Sequence, residues 1–190
     1  IAELSYEKEI YEQALDSYQK VLNNSISINR IRESNLKIIQ TYRLLGDIEQ
    51  SKSRIERLLL NEDFSSIKSD LRLELIKIEL DQGNIDFSIE SLDRIAQDYP
   101  NTKVAIEAYY ILSKLYLESP NLDFEKSNFF MNEAMKQNAN SSHKVLISNK
   151  RESVSKLIEL DITLKEEGDI EKSSILYRMG EILAFDLGNL

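Results

Sequence analysis

His143 is the single histidine of this chain, and cysteine is absent. Any site needing two imidazoles is ruled out, as are a disulfide framework and a thiolate metal centre. His143 lies in Asn140-Ser141-Ser142-His143-Lys144, at a predicted helix start. A general base there needs an orienting partner nearby, and none is evident, so the residue reads as a solvated polar side chain. The acids Asp161, Glu166 and Glu167 are the best cation candidates. Neighbours on a helix point about 100° apart, however, so Glu166-Glu167 is a poor chelate. There is no Gly-rich phosphate loop, no Gly-x-Ser-x-Gly and no His-Glu-x-x-His. The expectation is a chain that is not an enzyme, with no cofactor and no metal.

Charge narrows the partners. With 33 acidic and 24 basic residues the formal net charge is −9, and no Lys/Arg run is present. Nucleic acid and anionic lipid are therefore poor partners, and protein or peptide is the expected class. No stretch reaches the ~18 apolar residues of a membrane span, so no membrane insertion is expected.

The elements that would position any site follow from composition and spacing. Glycine occurs 5 times and proline twice in 190 residues, of which 42% are hydrophobic. An all-β fold of this length needs many more turn residues. Long helices with short connections are the alternative. Three glycines open near-identical words: Gly46-Asp47-Ile48-Glu49-Gln50-Ser51, Gly83-Asn84-Ile85-Asp86-Phe87-Ser88 and Gly168-Asp169-Ile170-Glu171-Lys172-Ser173. Each reads as a tight helix–helix turn. Glycine takes the left-handed conformation, and Asp or Asn caps the next helix. A small residue one turn on lets two helices approach closely. Two further copies lack the glycine, around Ala14 and Ser127. The small anchors Ala14, Ser51, Ser88, Ser127 and Ser173 are spaced by 37, 37, 39 and 46 residues.

Four and seven residues after each anchor comes a position of a helical face, from Tyr18 and Val21 in the first copy to Tyr177 and Gly180 in the last. The spacing predicts ten helices in five antiparallel pairs: Ile1–Lys8 with Tyr11–Asn23, Ile28–Leu45 with Ile48–Leu60, Ser65–Gln82 with Ile85–Asp98, Lys103–Ser119 with Asp123–Gln137, and Ser142–Glu167 with Ile170–Asp186. Ser119-Pro120-Asn121 lengthens the fourth turn. Core packing is the expected role of Tyr18, Tyr42, Tyr116 and Tyr177.

These features resemble the tetratricopeptide repeat family. Tyr109, Leu112, Ser113 and Tyr116 match its first helix. Glu9-Ile10-Tyr11-x-x-Ala14, Tyr18 and Pro100 match the turn, second helix and following proline. The likeness spans essentially the whole chain; serine often stands where the family has alanine, and Asp161 replaces a small residue. It implies an all-α, right-handed superhelical α-solenoid of about five repeats, 1–25, 26–63, 64–101, 102–140 and 141–187, forming a single domain. The segment Asp98-Tyr99-Pro100-Asn101-Thr102, followed by Glu107-Ala108-Tyr109-Tyr110, looks like bacterial cell-envelope members, which implies a location in the envelope or periplasm.

A stack of helical pairs curves, and the first helices line its inner surface. Ten residues before each turn stand Leu36, Leu73, Tyr110 and Ile158. One turn on come Gln40, Lys77, Lys114 and Ile162, with Arg43 and Leu80 beyond. The expected partner-binding wall is Leu36, Gln40, Arg43, Leu73, Lys77, Tyr110, Lys114 and Ile158: an apolar ladder flanked by a basic stripe. The other reading of the apolar rungs is packing between adjacent first helices. A Lys77→Glu plus Lys114→Glu change is expected to weaken partner binding without unfolding. The leading functional expectation is a non-catalytic protein-interaction scaffold. The alternative is a structural spacer within a larger repeat array, self-associating through exposed terminal helices. The opening Ile-Ala-Glu-Leu, without Met and as if already inside a helix, leads to the expectation of a segment from a longer repeat protein.

Overall fold

In a computed structural model, residues 1–118, 122–166 and 169–188 are described, the side chains of 169 and 170 excepted. Among them are ten α-helices and no strand. The helices are α1 (Ala2–Glu7), α2 (Tyr11–Asn24), α3 (Ile28–Leu44), α4 (Ile48–Leu59), α5 (Lys68–Asp81), α6 (Ile85–Asp98), α7 (Lys103–Glu118), α8 (Phe124–Lys136), α9 (Ser142–Glu166) and α10 (Asp169–Glu181). Contacts group into two compact units, Ile1–Ser91 and Leu92–Leu190.

In the first unit the turns form for the expected reasons. Gly46 and Gly83 have φ of +77° and +83°, the left-handed region that costs an L side chain but not glycine. Asp47 then caps α4, its carboxylate accepting the Gln50 N–H at 3.3 Å. Asn84 behaves differently: its amide donates to Glu79 Oε2 at 2.7 Å, tying the turn back to α5. Helix α3 packs on α2, on α4 and on α5, so the first helices of the second and third pairs touch. Ala14, Tyr18 and Ile38 form one buried cluster, and Ile39, Ile55, Leu58, Phe64, Leu71 and Ile78 a second.

The small anchors Ser51 and Ser127 lie where helices cross. Ala14, Ser51, Ser88 and Ser127 are all fully buried. Ser51 Oγ donates to the Ile39 carbonyl at 3.1 Å, and Ser127 Oγ to the Ser113 carbonyl at 2.9 Å. The hydroxyl thus solves the burial of its own polar group while keeping the crossing close.

One connection differs from expectation. The segment Glu62–Ile67 is a 3-10 helix, and α5 begins at Lys68 rather than Ser65. Asn61 Oδ1 accepts the Asp63 N–H at 2.9 Å, and the turn delivers Phe64 into the core, 6% exposed. Core burial of this ring outweighs continuation of the helix.

In the second unit α8 packs on α7 and α9, and α7 on α9. Thr102 caps α7 by accepting the Ala105 N–H at 3.2 Å. Asp123 caps α8 through Lys126 N–H at 2.9 Å. The fourth turn, Ser119-Pro120-Asn121, and the glycine of the fifth, Gly168, fall outside the described residues.

The fifth pair departs from the repeat. Ser173, Tyr177 and Gly180 are exposed, Tyr177 by 70%, while Met179 and Ile182 are buried. Core packing of Tyr177 is therefore not found. The crossing position held by Ser113 in the fourth pair is Asp161 here. Its carboxylate pairs with Lys165 at 2.8 Å and stays in reach of water. A carboxylate cannot be buried at a close crossing without a counter-charge there, so α10 presents another face to α9. The chain end is fixed instead by Lys150 Nζ on the Leu187 carbonyl (2.7 Å) and Ser153 Oγ on Asp186 (3.1 Å).

Candidate functional site

Three first helices of the first unit, α1, α3 and α5, converge on one carboxylate. Glu74 of α5 has a side chain only 3% exposed. Its Oε1 accepts from Gln40 Nε2 at 2.9 Å and from Lys77 Nζ at 3.0 Å. Its Oε2 lies 3.4 Å from Arg43 Nε, and Arg43 Nη1 reaches Asp81 at 2.7 Å. Burial works against the Arg43 charge, but the hydrogen bond to Asp81 and the charges of Glu74 and Asp81 more than offset it and hold the guanidinium pKa up. Tyr6 of α1 stands in the same field: burial first, and the Glu74 charge second, push its phenol above the usual range.

Beside this network is an open groove of about 570 Å³, lined by Glu3, Tyr18, Val21, Arg30, Glu33, Ser34, Leu36, Lys37 and Gln40. Tyr18 donates to Glu3 Oε2 at 2.7 Å, and Lys37 pairs with Glu3 at 3.3 Å while lying 4.2 Å from the Tyr6 ring centre. The Tyr18 hydrogen bond holds the Glu3 carboxyl below its usual range, against burial and with help from Lys37. Tyr18 moves the opposite way, raised first by burial and then by that same bond.

The phenols give a signed prediction. Tyr18 and Tyr6 hold their protons more tightly folded than unfolded. The stability they contribute is present below the unfolded tyrosine value of about 10 and is lost as pH rises beyond it. Urea midpoints measured against pH are expected to fall steeply above about pH 10, and Tyr18→Phe to lessen that slope. An unchanged slope in Tyr18→Phe would contradict the assignment.

The expected wall residues divide. Leu36 and Gln40 line the groove, and Gln40, Arg43 and Lys77 meet at Glu74. Leu73 is 2% exposed, committed to packing. In the second unit Tyr110 is half-buried, its ring 5.1 Å from that of His143, whose Nδ1 lies 3.2 Å from Ser141 Oγ. Lys114 pairs with Glu118 at 3.2 Å, and Ile158 borders a separate depression with Phe124, Asp161 and Lys165. The basic stripe is thus neutralised where Arg43 and Lys77 stand. Lys77 is 13% exposed and holds a buried acid, so Lys77→Glu is expected to perturb folding as well as binding.

Glu74, Tyr6, Lys37 and Asp81 belong to the site without any motif in the sequence that marks them. The signal for Glu74 was an acid inside Leu73-Glu74-Leu75-Ile76, where every neighbour is apolar. Among the described residues no group of three or more His, Asp or Glu side chains is placed to hold a metal ion, and no helix is long and apolar enough to cross a membrane. No protein-family model, curated protein or solved structure matches the chain.

Proposed function

We propose that the chain is a non-catalytic interaction scaffold of tetratricopeptide-like repeats, stacked as a right-handed α-solenoid, that binds a polypeptide along its first-helix wall. The observation that carries this reading is the packing of first helices on one another, α3 on α5 and α7 on α9, beside second helices that cross them at buried small residues. Such pairs cannot bury their apolar faces alone, and stacking them produces a continuous surface of first-helix side chains. The groove at Leu36 and Gln40 offers apolar contact and amide hydrogen bonding to an extended chain. A bacterial cell-envelope location belongs to the same proposal and rests on the Tyr99-Pro100-Asn101-Thr102 resemblance alone.

The test is selection of binders from a random peptide library, followed by titration of a selected peptide on folded variants. Leu36→Ala and Lys114→Glu are expected each to weaken binding by about fivefold to tenfold, the loss of one apolar or charged contact. Unchanged affinity in both variants rejects the first-helix wall as the binding surface. The spacer reading gains if no peptide is selected and the chain self-associates in sedimentation.

A further inference from the structure

Helix α4 carries two arginines that the first-helix wall does not use. Arg54, in the middle of α4, is half-buried, and its Nε donates to Asn35 Oδ1 at 2.9 Å. Asn35 is itself fixed: it is 5% exposed, and its Nδ2 donates to the Ile31 carbonyl at 2.8 Å. Arg57 stands three residues on, exposed, on the same helix. Among the described residues neither guanidinium has an ion pair. Arg43, the other arginine held at a helix crossing, has two acids. Arg54 is thus an oriented, partly buried cation held by an amide, in a chain with 33 acidic and 24 basic residues. Burial first, and the neighbouring Arg57 second, disfavour the Arg54 charge, while Tyr42 is the one group that supports it. Arg57 in the last turn is suited to the helix dipole, but Arg54 is not in that turn.

The geometry limits what fits. With Nε committed to Asn35, the two Nη groups of Arg54 remain as an end-on fork for a planar carboxylate. Arg57 follows at i+3, about 5–6 Å away on the helix surface. In an extended peptide, side chains at i and i+2 point the same way and lie about 6.5–7 Å apart. We propose that Arg54 and Arg57 form a binding site for an extended acidic peptide segment with carboxylates at alternate positions. Arg54 takes one carboxylate in its fork, Arg57 takes the next, and Asn35 is the positioning residue.

The probe is a short fluorescein-labelled peptide of alternating Glu and Ser, followed by fluorescence anisotropy on the whole chain at low ionic strength. Binding is expected. Arg54→Ala with Arg57→Ala should weaken it about tenfold or more, the value of a charge-assisted hydrogen bond. Arg54→Lys keeps the charge but loses the fork and should weaken it about threefold. The matching Gln-Ser peptide should not bind. Should the double variant fail to fold by circular dichroism, the exposed Arg57→Gln carries the test, with an expected loss of about threefold. Equal binding by folded wild type and variants overturns the proposal. So does inorganic phosphate that binds as tightly as the peptide and displaces it, which would mark a simple anion site. Leu36→Ala leaves this binding unchanged, so failure here and failure of the first-helix wall are separable.

Discussion

Glu74→Ala is expected to destabilise the chain by about 3–4 kcal/mol, which for a chain of this size lowers the melting temperature by about 10 °C. The carboxylate is the common partner of Gln40, Lys77 and Arg43, whose cationic side chains are 13% and 18% exposed. Its removal leaves two cations near one another, with Asp81 still paired to Arg43. The cost lies toward the lower end for a broken buried pair because Asp81, 46% exposed, keeps Arg43 partly neutralised. Replacing the whole set, with Glu74→Leu, Arg43→Met and Lys77→Met together, should recover most of the loss, since the desolvation of all three charges is then removed. Urea titration followed by circular dichroism measures both. A loss under about 1 kcal/mol in Glu74→Ala would show that the network carries little weight in holding α3 to α5.

Ser51→Leu and Ser127→Leu are each expected to cost about 2–3 kcal/mol, because the added carbons have no room between backbones already joined by hydrogen bonds of 3.1 and 2.9 Å. Ser→Ala at the same sites should cost less than about 1 kcal/mol. The carbonyl that loses the hydroxyl keeps its helical partner, and the first pair already has alanine there, at Ala14. Ser173→Leu, at the equivalent position of the fifth pair, should change stability by no more than about 0.5 kcal/mol, because Ser173 is exposed. A large loss there would mean that α10 packs on α9 by the repeat's own face after all.

That contrast marks how far the residues alone carried the fold. Left-handed glycines at Gly46 and Gly83, small anchors and the i+4 and i+7 positions are local, repeating constraints, and the four pairs that obey them have buried anchors. The fifth pair shares the anchor words but not the crossing partner, where the charged Asp161 stands. Phe64 shows the same rule in a connection, where a single core ring decided the backbone. The candidate site was half legible. Gln40, Arg43 and Lys77 were read as facing outward to a partner, since charges on a helix are ordinarily solvated. What joins them is an acid on the neighbouring first helix, 34 residues from Gln40, and no local pattern specifies that meeting. Arg54 was silent for the same reason: its peculiarity is the lack of an acid in three dimensions.

Hydrogen exchange on the whole chain, with and without a library-selected peptide, tests the scaffold reading most directly. The account predicts slowed exchange in α3 and α7, the helices that carry Leu36, Gln40, Tyr110 and Lys114, with α10 unaffected. Protection confined to α10, or a selected peptide that leaves exchange in α3 and α7 unaltered, contradicts it.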